Sequence, residues 1–308
     1  MKKLLFFYVF IFILNVFASA GEINVGDHTI NEYFYFQPKY SSGPAITDSF
    51  TISRARIDLW GNIGEKSAYF IEIDAASSQP LVYSWADLLF DANNKITIGR
   101  IYYPFSLEYS TPPCKFDTIN PTSMLWAYFG YSRDIGIQWS SKYDLYKYYI
   151  AVVNGRDWEM TDNNDTKDIV GRCVLYPVKD LGIGISYYNG KSGTTEADKI
   201  LGGGEVSYIA GDFSFKGELY AGKNSGIETR GWYVQPSYYV LPGIQTLIKY
   251  EEWDSDLSVA GNGNIITTLG VNWFYDKTTK LQINYISNKE ETAETDNDQL
   301  LMQLQLSF

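Results

Sequence analysis

The last nine residues, Leu300 to Phe308, alternate apolar and polar positions with a period of two. Counted back from Phe308, Leu306, Leu304, Met302 and Leu300 share one face, while Ser307, Gln305, Gln303 and Leu301 share the other. This pattern predicts a strand with one apolar and one wet side. Nine residues rise about 30 Å, and at a tilt of about 40° they cover the ~25 Å apolar band of an outer-membrane barrel. A soluble sandwich strand is the competing reading. Ending that way, such a strand would leave an unpaired edge beside an apolar face, which invites aggregation; closure into a barrel removes the edge.

The same alternation recurs along the chain. It predicts strands near 30–37, 50–60, 67–74, 82–90, 95–103, 133–140, 145–153 and 169–178. It continues near 181–188, 200–209, 212–222, 229–240, 244–252, 265–275, 280–287 and 299–308. That makes about 16, an even number as bacterial single-chain barrels require. Connections alternate in length. Short ones include 91–94, 179–180, 210–211, 241–243 and 276–279; longer ones run near 103–132, 154–168, 189–199, 254–264 and 288–297. Short turns on one rim and long loops on the other predict an all-β, antiparallel up-and-down transmembrane barrel with periplasmic turns and extracellular loops.

Energy assigns the faces. A base on the lipid side at midplane costs roughly 2–4 kcal/mol, so charges within strands are expected to line the lumen. In 50–60 this points Arg54, Arg56 and Asp58 inward and Ala55, Ile57 and Leu59 toward lipid. The same rule makes Glu72, Asp74, Asp87, Lys147, Glu205, Lys216, Glu218, Lys249 and Glu251 pore-lining. The parities of Arg100, Arg133, Arg172 and Arg230 stay open, with rim positions as one option. Five bases against seven acids make a mixed wall with a slight acid excess, which does not predict strong anion selectivity. Lys216/Glu218 and Lys249/Glu251 are also readable as structural pairs along the wall.

The N-terminus agrees with this address. Lys2 and Lys3 precede the apolar run 4–17, and Ala18-Ser19-Ala20 forms an A-x-A cleavage site. Residues 1–20 are thus expected to be a cleaved signal peptide and 21–308 a single barrel domain in the outer membrane. The residue directly after the cleavage site is Gly21 and not a cysteine, which argues against a lipid anchor, and the apolar run is too short for a spanning helix. Mean hydropathy is −0.20, compatible with a membrane protein whose apolar residues alternate with polar ones. Removing Lys2 and Lys3 takes the net charge from −11 to −13, which argues against a nucleic-acid partner. Aromatics make up 17% of residues, with 26 Tyr and 8 Trp, suited to the interfacial girdles of a barrel facing outer-membrane lipids. The single histidine, His28, precedes the first expected strand, so a His-based catalytic site is not expected. No cofactor or metal site is expected. Cys114 and Cys173 are the two cysteines, and their pairing is left open.

Several segments carry a family likeness. They are Phe50-Thr-Ile-Ser-Arg54-Ala-Arg56-Ile-Asp-Leu, Tyr69-Phe-Ile-Glu72-Ile-Asp74, Ile98-Gly99-Arg100 and Pro104-Phe105-Ser106. Arg133-Asp134-Ile-Gly136, Val153-Asn154-Gly155, Tyr233-Val-Gln-Pro-Ser-Tyr238 and Ile248-Lys-Tyr-Glu-Glu-Trp-Asp254 follow in order. In these the chain resembles the phosphate-selective porin O/P family. The resemblance implies a 16-stranded, trimeric barrel that passes small hydrophilic solutes or ions by passive diffusion. It also implies phosphate or anion selectivity, although only Arg54 and Arg56 match the family's basic lining. The alternative is a non-conducting structural barrel or adhesin that uses its acidic surface loops.

The connection 103–132 is the gate candidate. It carries Pro104, Pro112, Pro113 and Pro121 together with Phe105, Tyr109, Phe116, Met124, Leu125, Trp126 and Tyr128. Folding into the lumen would shelter these apolar groups; packing outward on neighbouring loops or subunits is the other option. Acids cluster at Asp157, Glu159, Asp162, Asp165 and Asp168 and at Glu290, Glu291, Glu294, Asp296 and Asp298. They read as a solvated surface or as divalent-cation bridges to lipid phosphates.

Overall fold

The computed structural model describes residues 23–25, 28–130, 133–156, 161–162, 164–292 and 295–308. The expected signal peptide, Asp157, Glu159 and Glu294 lie outside the described residues. A short segment, β1 (Ile23–Val25), pairs with the start of β2 (His28–Gly43). The barrel strands continue as β3 (Ile46–Ile63), β4 (Ser67–Asp74), β5 (Leu81–Leu89), β6 (Asn94–Tyr102), β7 (Arg133–Lys142), β8 (Tyr146–Val153) and β9 (Asp168–Val178). They are completed by β10 (Leu181–Ser192), β11 (Ala197–Ala210), β12 (Phe213–Asn224), β13 (Ile227–Leu241), β14 (Ile244–Asp254), β15 (Gly263–Phe274), β16 (Thr279–Glu290) and β17 (Gln299–Ser307). Each of the sixteen strands from β2 to β17 pairs antiparallel with its sequence neighbours, and β17 pairs with β2, so the sheet has no free edge.

Closure runs to the last residue. Phe34 N–H donates to the Phe308 carbonyl at 2.8 Å, Phe308 N–H donates back at 3.0 Å, and the two rings sit 5.1 Å apart. In β17, Leu301, Gln303 and Gln305 point inward and are buried, while Met302 is exposed outside. The outer surface of the other strands is apolar and exposed, as with Ile57, Ile150, Ile185 and Leu219. Charged and amide side chains fill the interior, the reverse of a water-soluble fold.

Strands extend beyond the expected bounds. β2 continues through Pro38 to Gly43 because a bulge between Gln37 and Pro38 absorbs the proline, which cannot donate to the ladder. The same irregularity flips facing in β3, so Phe50 and Ile52 lie outside above it and Ile57 below it. The long connection expected at 189–199 shrinks to 193–196, since β10 and β11 stay paired up to Ser192↔Ala197. Two further extracellular connections, 44–45 and 225–226, are also tight turns, so the short–long alternation holds for only part of that rim.

Candidate functional site: the barrel lumen

The segment following β6 folds into the barrel. It contains a short turn of helix at Pro113–Lys115 and helix α1 (Ser123–Phe129). Tyr103, Phe105, Met124, Leu125 and Phe129 are fully buried against Tyr188, Leu201 and Tyr220 of β10–β12, forming an apolar core inside the barrel. Phe105 lies 5.4 Å from Tyr220, and Phe129 lies 5.2 Å from Tyr188. Each such side chain contributes about 1.5–3 kcal/mol by leaving water. The inward arrangement of the gate candidate is the one this structure adopts.

Polar anchors fix the loop to one side of the lumen. Ser106 adopts φ 72°, turning the chain so that its N–H reaches Ser186 Oγ at 3.0 Å. The next two amides, Leu107 and Glu108, donate to the buried Glu218 carboxylate at 3.0 and 2.7 Å, and Tyr233 OH adds a third bond at 2.7 Å. Glu108 in turn pairs with Lys249 at 2.8 Å and accepts Thr122 N–H at 2.7 Å. Glu251 accepts Ser123 N–H at 3.0 Å, placing a carboxylate at the open amide end of α1. Further along, Asp117 pairs with Lys216 at 2.6 Å and accepts from Gln235 at 2.9 Å. Lys280 reaches the Phe116 carbonyl at 3.1 Å, and Asn284 accepts Ile119 N–H at 2.8 Å. Burial, together with the nearby Asp58 charge, pushes the Cys114 thiol up. Cys114 and Cys173 are both free; Cys114 sits in the loop, whereas Cys173 is on β9 between the inward positions 172 and 174.

These contacts recast four expected residues. Lys216, Glu218, Lys249 and Glu251 hold the loop. The pairing Lys216/Glu218 along the wall does not form, because each side chain reaches across to the loop instead. Lys249 is closer to Glu108 (2.8 Å) than to Glu251 (3.7 Å). The remaining expected residues lie in other strands. Arg56 bridges Glu72 at 2.5 Å and Asp74 at 2.9 Å and lies over the Tyr35 ring. Arg54 donates to Gln37 at 3.0 Å. Asp58 stands beside Glu72 in the β3–β4 register, with one carboxylate oxygen buried and without a hydrogen-bond partner. Asp87 pairs with Lys95 at 2.7 Å, Glu205 with Arg172 at 2.6 Å, and Lys147 lies over the Tyr176 ring at 4.8 Å.

The arginines of open parity divide. Arg172 points inward to Glu205, Arg133 lies inward over the Tyr83 ring at 6.0 Å, and Arg100 is buried and donates to the Leu81 carbonyl. Arg230 is exposed on the outer face of β13, near its extracellular end. Outward Ile169 and Leu175 in β9 were the available signal for Arg172; Gly171 and Cys173, small on either side, obscured it. Lys39, Lys95, Lys142, Lys199 and Lys280 also belong to strands; each stands at or just beyond an end of the strand expected from the alternation, where facing by charge does not apply. Acids of the extracellular loops make local bonds: Asp162 pairs with Lys167 at 2.6 Å, and Asp298 accepts from Tyr285 at 2.5 Å. Among the described residues no group of three or more potential metal ligands gathers.

With the loop fastened to β10–β16, the space left lies toward β3–β9. Loop residues Tyr109, Thr111, Pro113 and Phe116 face Arg54, Arg56, Tyr83 and Tyr102 across a narrow gap. A cavity of about 240 Å³ adjoins it, lined by Trp85, Lys95, Tyr102, Lys142, Tyr149 and Arg172 among others.

Similar architectures are found in solved structures. The anion-selective porin from Comamonas acidovorans superposes with TM-score 0.72 at 14% identity, covering 92% of this chain and all of that one. OmpF of Salmonella typhi, solved in complex with daunomycin, gives 0.71 at 15% identity over 94% of this chain and all of that one. OmpT of Vibrio cholerae, folded in vitro and solved in a trimer form, gives 0.69 at 11% identity over 91% of this chain and 99% of that one. At these identities the likeness shows the fold. No curated protein sequence matches the chain. The family described as phosphate-selective porin O and P matches residues 31–211, more than half of the chain. Family and fold point to a channel rather than an enzyme. The protein is an outer-membrane channel and belongs to the phosphate-selective porin O and P family.

Proposed function

We propose that small hydrophilic solutes cross between the inward loop and the β3–β9 wall, and that the passage favours anions. The observation that carries this reading is how the charges are used. Lys39, Arg54, Lys142 and Lys147 have no carboxylate within 4.0 Å among the described residues, whereas Glu218, Glu251, Glu108 and Asp117 are bound into the loop anchors. Glu72, Asp74, Asp87 and Glu205 each face a base, and of the lining acids named Asp58 alone has none within 4.0 Å among the described residues, against the four bases without a carboxylate. A simple tally of charges thus overstates the acidity met by a permeating ion, because an ion responds to the residual field. Arg54, Arg56, Asp58, Glu72, Asp74, Asp87, Lys147 and Glu205 form the lining in this reading, with Lys216, Glu218, Lys249 and Glu251 as loop supports.

In the same reading, residues 1–20 are a cleaved signal peptide, 21–308 are one barrel domain embedded in outer-membrane lipid, and three copies assemble, as the trimer form of OmpT encourages. The test is a planar bilayer under a KCl gradient. The expected result is stepwise channels whose reversal potential favours chloride, shifted toward cations in the double variant Arg54→Glu/Lys142→Glu. A sealed bilayer or a cation-favouring reversal potential overturns it.

A further inference from the structure

We infer that the cavity beside the inward loop is a subsite for single-ring aromatic carboxylates. The inference rests on the anion-passing reading above and adds the class of solute. Its first support is a pre-stacked aromatic wall. Phe70 backs the Trp85 indole at 4.3 Å, Tyr83 backs Tyr102 at 3.8 Å, and Trp85 and Tyr102 meet edge-on at 6.3 Å. Trp85, Tyr102 and Tyr149 all border the cavity. A planar ring laid on such a wall gains stacking and apolar contact without ordering the side chains that receive it.

The second support is charge. Lys95, Lys142 and Arg172 border the cavity, and no acidic residue does. Lys95 and Arg172 already face Asp87 and Glu205, so Lys142 is the base left with its charge uncompensated. Its Nζ lies 5.9 Å from the centre of the Tyr149 ring, which puts a cation and an aromatic face at one edge of the same space. A benzoate-like molecule carries both a ring for the aromatic face and a carboxylate for the cation.

Other solutes fit the lining less well. A neutral sugar needs acceptors for its hydroxyl protons, and the amide of Gln138 with the hydroxyls of Thr97, Ser110 and Ser140 are the main ones offered, without a carboxylate. A bare inorganic anion gains no stacking from the aromatic side chains that border the cavity. At about 240 Å³ the cavity lies just below the usual size range of ligand pockets, appropriate to one ring.

The experiment uses the full-length channel in planar bilayers with benzoate, acetate or maltose added to symmetric KCl. Benzoate is expected to reduce the current at a half-blocking concentration roughly tenfold below that of acetate, with maltose weaker than either. The benzoate-to-acetate ratio, read within each variant, is expected to collapse toward one in Trp85→Ala and to persist in Trp85→Phe. Lys142→Gln is expected to weaken block by both carboxylates. Retention of the ratio in Trp85→Ala, or maltose block equal to that by benzoate, overturns the subsite. Equal block by benzoate and acetate in a channel whose reversal potential favours chloride overturns the subsite alone; a cation-favouring reversal potential overturns the anion reading with it.

Discussion

The Lys249 ammonium lies 2.8 Å from the Glu108 carboxylate, tying β14 to a loop residue 141 positions earlier in the chain. Lys249 is 1% exposed, so neither water nor salt substitutes readily for its partner. Removing one member of a buried pair typically costs about 3–5 kcal/mol when the other charge is left unpaired; here Glu251, 3.7 Å from Lys249, keeps part of the compensation, so the cost falls below that range. Glu108→Gln should therefore loosen the inward loop without opening the barrel. Single-channel recording should show larger and noisier conductance, while folded-barrel mobility on unheated gels is kept. An unchanged conductance would show that the pair does not restrain the loop.

Space inside the barrel is as tightly specified as charge. A Cβ built on Gly203 of β11 would lie 2.1 Å from the Tyr220 ring, the ring that packs against Phe105 of the loop. Gly203→Val should displace Tyr220 and unseat Phe105. The expected readout is protease cleavage within 103–130 that the native protein resists; resistance equal to that of the native protein would contradict this packing.

The periplasmic turn before β16 depends on one carboxylate. Asp276 accepts from Thr278 N–H and Thr279 N–H at 2.7 Å each and from Thr278 Oγ1 at 2.8 Å, which holds its carboxyl below the usual range. A depressed carboxyl contributes stability that is present above its unfolded value, about 3.9, and is lost as pH falls through the lower folded value. The protection of the Thr278 and Thr279 amides, taken relative to the intrinsic exchange rate at each pH, should accordingly fall on acidification below that range, and Asp276→Ala should show the lower protection already at neutral pH. Protection that is equal in the two proteins at neutral pH would remove Asp276 from this role.

Deleting Phe308 removes both backbone bonds to Phe34 and the ring contact at the seam. The yield of closed barrel should fall, measured as the fraction of protein migrating in the compact, heat-modifiable form. Phe308→Tyr, which keeps the ring and the ladder, should retain it; equal yields from the deletion and the native chain would mean that the seam does not need its last residue.

Much of this architecture is legible in the chain. The period of two, the even strand number, the closing strand at 299–308 and the inward facing of Arg54, Arg56 and Asp58 follow from local rules. Successive side chains alternate sides, and an uncompensated charge in lipid is too costly to be left there. The bulge at Pro38 and the long hairpin at 181–210 leave a weaker trace in the alternation. Proline and glycine usually mark ends, and here neighbouring strands carry the ladder past them.

The direction of the inward loop and the use of each luminal charge were decided by the tertiary structure alone. Glu218 serves Leu107 and Glu108, Glu251 serves Ser123, and Lys216 serves Asp117, partners separated by roughly a hundred residues or more. Spacing along a strand says which face a charge occupies. It does not say which opposite charge will come within hydrogen-bonding distance, and at short range in a poorly solvated interior that distance sets the field a passing ion meets.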